Sequence, residues 1–132
     1  MIQSKAENEV IIQRLYEALA NQDFQGYLDM LADDVEYYAA GDCPVSGVHK
    51  GKEALIKIGQ ITFKETNGTH KVKMRRLVAN NAYVAVIDTW TATRNRKEIQ
   101  MNNLLIYKIV AGKVQEIREF LEDESEHDEF WK

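Results

Sequence analysis

From Lys71 to Leu121 the sequence runs through four stretches with strand character, separated only by short turns, and that run constrains the rest of the chain. Val72 and Met74 alternate with Lys71, Lys73 and Arg75, and Asn80-Asn81 marks a hairpin. Tyr83 to Thr93 is rich in Val, Ile, Thr and Trp, and Arg94-Asn95 turns the chain. Ile99 to Val110 is a further strand, and Ala111-Gly112 leads into Val114 to Leu121. Consecutive strands joined by short turns pair as an antiparallel meander, and long strands twist and curl.

The first half supplies helices to cover that sheet. Ser4 followed by Glu7 is a capping-box pattern, and Ile11, Ile12, Leu15, Tyr16 and Leu19 form an apolar stripe at helical spacing. Asp23 caps a second, short helix in which Phe24, Tyr27, Leu28 and Leu31 share a face. Val35 to Ala39 reads as a short strand, and Gly41 to Gly51, with the only proline, as a loop. Lys52 to Phe63 reads as a third helix, through Leu55, Ile58 and Ile61, before the Asn67-Gly68 turn. The order α-α-β-α-β-β-β-β implies the α+β class: three helices packed on a strongly curved antiparallel sheet, forming a cone-shaped barrel with an internal pocket.

Bulk properties narrow the function. The 132 residues suit one domain. No apolar run approaches the roughly 20 residues of a membrane span, and the polar stretch Met1 to Glu9 has no signal-peptide core, so a cytoplasmic chain is expected. Cys43 is the only cysteine, which excludes an intramolecular disulfide. As a nucleophile it would need a base; His49 lies near in sequence, across Pro44 and Gly47. The net charge of −4 resides in the last eleven residues, where six acids face Lys132 alone, so the body has no electrostatic footprint for nucleic acid. The expected organisation is a single domain over residues 1–121 and an acidic C-terminal tail over 122–132.

The segments "RLYEALANQDFQGYLDMLADDVEYY" (Arg14 to Tyr38), "SGVHKGKEAL" (Ser46 to Leu55) and "IYKIVAGKVQEIREF" (Ile106 to Phe120) resemble the SnoaL-like polyketide cyclases and the ketosteroid isomerases. The resemblance covers nearly the whole chain and implies the nuclear transport factor 2-like, or cystatin-like, cone fold. It also implies a homodimer paired through the outer face of the sheet. It does not carry over the isomerase chemistry. Ungapped counting places the general base at Ala39, the oxyanion-hole tyrosine at Leu15, with Tyr16 one step off, and the buried acid donor at Leu104.

Candidate site residues are therefore polar groups on apolar faces. Ile117, Glu119 and Leu121 share a face, which makes Glu119 a carboxylate looking inward and a general acid or base candidate. Asp88 shares a face with Val86 and Trp90, but both faces of that strand are partly apolar, so Asp88 is either a second catalytic acid or an interface residue. Asn102 and Asn103 lie mid-strand, so one of them points inward. They join Tyr16, Tyr37, His49 and Trp90 as candidate substrate-binding groups. His49, His70 and His127 show no metal-ligand spacing, and no glycine-rich phosphate loop is present, so neither metal nor cofactor is expected. Two functions follow: a cofactor-independent proton-transfer enzyme of cyclase, isomerase or hydrolase/dehydratase type, acting on a small apolar carbonyl or cyclic substrate, or a non-catalytic dimeric module that binds a small apolar ligand or associates with protein.

Overall fold

The computed structural model describes residues 3–132; residues 1 and 2, which open the polar N-terminal stretch, lie outside it. Helix α1 (Lys5–Ala20) begins at Ser4, whose Oγ accepts from the Glu7 amide at 3.0 Å. Helix α2 (Phe24–Asp29) begins at Asp23, which accepts from the Gly26 amide at 2.9 Å. Gly26 leaves the room that the capping carboxylate fills. Strand β1 (Leu31–Ala39), the short strand β2 (Gly47–Lys50) and helix α3 (Lys52–Thr66) follow. Then come β3 (Lys71–Ala79), β4 (Tyr83–Arg94), β5 (Lys97–Val110), β6 (Lys113–Leu121) and a fourth helix, α4 (Glu124–Trp131).

The six strands form one curled, unclosed sheet in the order β2-β1-β6-β5-β4-β3. The C-terminal four make the antiparallel meander read from their alternation. Three features differ from the sequence reading. The segment taken as loop contains β2, paired antiparallel with β1 through Tyr37↔His49. Strand β1 runs parallel to β6, because the chain returns to the far edge of the meander rather than extending it by a hairpin. The acidic segment after Leu121 folds as α4: Asp123 caps it at Glu126 N (3.0 Å), with Glu124 and Glu126 in its first turn, where the helix dipole favours negative charge. Its last carbonyls accept from Arg94 Nη1 (Lys132 O, 2.6 Å) and Lys97 Nζ (Glu129 O, 2.7 Å), so the β4–β5 hairpin clamps the helix.

The core lies between the helices and the concave face of the sheet. Ile12, Leu15, Leu28, Leu31, Val35, Val84, Val86, Val114 and Ile117 are almost completely buried there. A second cluster joins Phe130 and Trp131 of α4 to Trp90, Ala92, Ile99 and Met101. Opposite Lys108 and Ile109 the β6 register skips Gln115, so Val114 and Ile117 both reach the core despite their odd spacing. From Ile117 onward the alternation is regular, with Tyr107↔Ile117, Leu105↔Glu119 and Asn103↔Leu121. No helix among the described residues is long and apolar enough to cross a membrane.

Within α1, Leu15 is fully buried and Val10 is 41% exposed. Leu15→Ala should cost about 2–5 kcal/mol by leaving a cavity, whereas Val10→Ala should change stability by no more than about 0.5 kcal/mol. Urea denaturation of the two variants checks this; equal losses would mean that α1 is rotated about its axis.

Candidate functional site

The concave face of β4 and β5 carries Val84, Val86, Asp88 and Trp90 on one strand and Met101, Asn103, Leu105 and Tyr107 on the other. Two carboxylates interrupt this apolar wall. Asp88, 4% exposed, accepts from Tyr16 Oη at 2.7 Å through Oδ2. Tyr16 Oη lies 2.8 Å from Tyr107 Oη. Tyr16 spends its one proton on Asp88, so the chain of donors runs from Tyr107 to Tyr16 to Asp88. Burial raises the Asp88 pKa to about 6, the Tyr16 hydrogen bond opposing and the charge of Glu119 adding to it.

Glu119 is the second. It accepts from the Ala40 amide at 3.1 Å and from Tyr37 Oη at 3.2 Å. Burial holds its carboxyl above the usual range, although those two hydrogen bonds and the nearby His127 partly offset the shift. No cationic side chain of Lys or Arg forms an ion pair with Asp88 or Glu119 among the described residues. Both acids line a cavity of about 950 Å³, with Tyr16, Tyr27, Tyr37, Trp90, Asn103, Tyr107, His127 and Trp131 among its walls. Part of that space lies outside edge strand β3, since Lys71, Lys73, Arg75 and Thr89 occupy the face of the sheet opposite to Asp88.

Of the residues singled out in the sequence, Glu119, Asp88, Tyr16, Tyr37, Trp90 and Asn103 meet on this cavity. Asn103 is already engaged: its side-chain oxygen accepts from Trp90 Nε1 at 2.8 Å in the amide orientation that satisfies both groups. Asn102 is not on the cavity. It pairs with Thr89 on the outer face, where its Oδ1 accepts from Thr89 Oγ1 at 2.5 Å, because alternation admits only one of the two asparagines. His49 is not on it either; its Nε2 lies 2.8 Å from Val45 O, and its ring stands edge-on behind Tyr37. The ungapped count also needs correction. Leu15 is packed in the core and Tyr16 carries the inward phenol, while Leu104 lies on the outer face between Asn103 and Leu105. Ala39 does line the cavity.

Sequence reasoning missed Tyr107, which sits in the plain alternation Asn103, Leu105, Tyr107, and His127, which was set aside with the tail. The spacing His127, Phe130, Trp131 is that of one helix face and could have revealed α4. Its acids obscured that signal. Among the described residues no group of three or more His, Cys, Asp or Glu is placed to hold a metal ion.

Residues 12–117 match the SnoaL-like domain family. The chain belongs to that family. This SnoaL-like chain is 22% identical to the uncharacterized protein Rv0034 of Mycobacterium tuberculosis over 92% of its own length and 93% of the relative's. It superposes on Bal32a, from a soil-derived mobile gene cassette, with a TM-score of 0.92 at 25% identity, covering 97% of this chain and 98% of the other. An NTF2-like protein of Burkholderia xenovorans gives a TM-score of 0.83 at 23% identity, covering 98% and 99%. The fold is thus the nuclear transport factor 2-like cone expected from the sequence.

The environment of Asp88 makes a signed prediction. Its folded pKa of about 6 exceeds that of the unfolded chain, so the folded state binds the proton more tightly. Asp88 therefore costs stability above pH 6, and that cost disappears as pH falls through about 6 toward 4. The difference is of order 3 kcal/mol at about 1.4 kcal/mol per unit. Asp88→Asn should remove this component of the pH dependence between 4 and 6, as measured by urea denaturation across that range. An unchanged slope would place the Asp88 carboxyl in water.

Proposed function

We propose that this SnoaL-like chain is a cofactor-independent enzyme that transfers protons on a small, largely apolar carbonyl or cyclic compound, in the manner of a cyclase, isomerase or hydrolase/dehydratase. The observation that carries this reading is Asp88: a buried carboxyl poised near neutrality, on a cavity wall, at the end of a tyrosine chain. Above pH 6 it is ionised and serves as the base that removes a proton next to a carbonyl. Tyr16 holds the acceptor oxygen in place and favours its ionised form, with Tyr107 behind it. Glu119 supplies a second proton acceptor or donor, kept oriented by Ala40 N and Tyr37. Trp90, Leu105 and Tyr37 give the substrate its apolar and aromatic walls.

The test needs no knowledge of the natural substrate. A panel of small cyclic ketones in D₂O is followed by NMR for exchange at the α-carbon. The expected result is catalysed exchange that rises with pH through about 6 and falls by about 10²–10⁴ in Asp88→Asn. Saturable ketone binding without exchange would favour the non-catalytic ligand-binding module.

We also propose that the chain pairs with a second copy through the outer face of the sheet. Ile87, Leu104 and Phe120 stand directly across from one another on β4, β5 and β6, and Phe120 and Ile87 are 48% and 37% exposed. An apolar row of this kind is poorly suited to water. Phe120→Glu should convert a dimer to a monomer in sedimentation equilibrium; a monomeric parent protein at tens of micromolar, roughly ten times a micromolar dissociation constant, would refute the pairing.

A further inference from the structure

Four tyrosines line the cavity, Tyr16, Tyr27, Tyr37 and Tyr107, and three of them have already committed their proton. Tyr16 donates to Asp88 at 2.7 Å, Tyr107 to Tyr16 at 2.8 Å, and Tyr37 to Glu119 at 3.2 Å. Tyr27 differs. It is only 8% exposed, yet its Oη has no hydrogen-bond partner among the described residues. Burial alone pushes its phenol above the usual range, with no hydrogen bond or charged neighbour contributing, so the group stays a neutral donor. Nor is the hydroxyl sealed within the packing, as the unpartnered Asn8 Oδ1 and Trp131 Nε1 are. Buried hydroxyls are ordinarily paired. An O–H left open on a cavity wall marks the place of a ligand atom that accepts.

Local structure holds this phenol in place. Asp23 caps α2, and Phe24 and Tyr27, three residues apart, share one face of that helix. Their rings stack with centroids 5.6 Å apart and an interplanar angle of 18°. Phe24 in turn rests on α3 at Gly59, where a Cβ would stand 2.9 Å from Phe24 Cζ. Phe24 is the exposed member of the stack and Tyr27 the buried one, so the phenol is approached from the cavity.

We propose that Tyr27 is the anchoring donor of the cavity, which takes a neutral carbonyl compound with its oxygen on Tyr27 Oη. Three features select that chemistry. The surrounding walls, Leu19, Leu55, Ile58 and Leu105 among them, are apolar. Asp88 and Glu119 have no Lys or Arg paired with them among the described residues, so a carboxylate entering beside them meets like charge. An alcohol can turn its own O–H to either acid, whereas a carbonyl oxygen only accepts and finds its partner at the free phenol. The inference rests on the proposed activity for the carbonyl ligand alone; it does not require Asp88 to transfer a proton.

The test is the binding of 1-indanone, labelled with carbon-13 at the carbonyl and followed by NMR in mildly alkaline buffer, where Asp88 with its pKa of about 6 is ionised. Binding to the full chain should saturate. The bound carbonyl resonance should stay near its position in water, because the phenol replaces the water that the oxygen gives up. Tyr27→Phe keeps the ring and its stacking. In that variant the resonance should move upfield toward its position in hydrocarbon solvent, and the affinity should fall about three- to tenfold, the loss of one hydrogen bond. Indane, the same bicycle without the oxygen, should bind both proteins equally, which a merely structural Tyr27 would not allow. Indane-1-carboxylate should bind at least about tenfold more weakly than the ketone. The inference is overturned by absence of saturable binding, by a parent resonance already at the hydrocarbon position, by equal losses for indanone and indane in Tyr27→Phe, or by a carboxylate that binds as tightly as the ketone. Tyr27-dependent binding without exchange at the α-carbon upholds this inference and refutes proton transfer; catalysed exchange with binding indifferent to Tyr27→Phe does the reverse.

Discussion

Strands β4 and β5 pair without a break from Tyr83↔Lys108 to Arg94↔Lys97, and the interior takes its order from that ladder. Because side chains alternate, a single unbroken register decides at once which residues face the cavity. It sets Asp88 beside Asn103 and Thr89 beside Asn102, one pair inside and one outside. A slip of one residue would send Val84, Val86 and Trp90 to the outer face and Ile87 and Thr89 to the core. The apolar cost of that slip keeps Asp88 buried where water would otherwise take it.

The buried acids are tolerated because each is given donors rather than counter-ions. Asp88 has Tyr16, and Glu119 has Tyr37 and the Ala40 amide. Neutral donors stabilise a carboxylate less than an Arg or Lys would, so burial remains the dominant influence and both pKa values move upward. That balance suits chemistry near neutrality. A full ion pair would stabilise the ionised form and move the pKa in the opposite direction.

Helix α4 changes what the cavity can do. Without it the cone would be a pocket with two acids and a set of tyrosines. With it, His127 and Trp131 join the wall of the cavity. The helix is held by groups distant in sequence, Arg94 and Lys97 at its end and Asp42 at its middle. Family membership fixes the cone and leaves such additions free, so the SnoaL-like fold by itself does not specify the reaction.

The sequence by itself determined the meander, its turns, the helices α1, α2 and α3, and the inward direction of Glu119, since each rests on local periodicity or capping between near neighbours. Asp88 was the informative ambiguity: both faces of β4 carry apolar residues, so alternation gave two faces without saying which one the helices cover. Only the packing of α1, which brings Tyr16 to Asp88 across 72 positions of sequence, decided it. The same limit hid the surroundings of Cys43. The nearby His49 was the local candidate, but its ring turns to the Val45 carbonyl, and Cys43 packs instead against the cluster that holds Phe130 and Trp131 of the C-terminal helix. Spacing along a strand or helix is written into the chain because covalent geometry imposes it. Contacts between distant segments depend on how the surfaces of whole elements fit, and that is settled only when they pack.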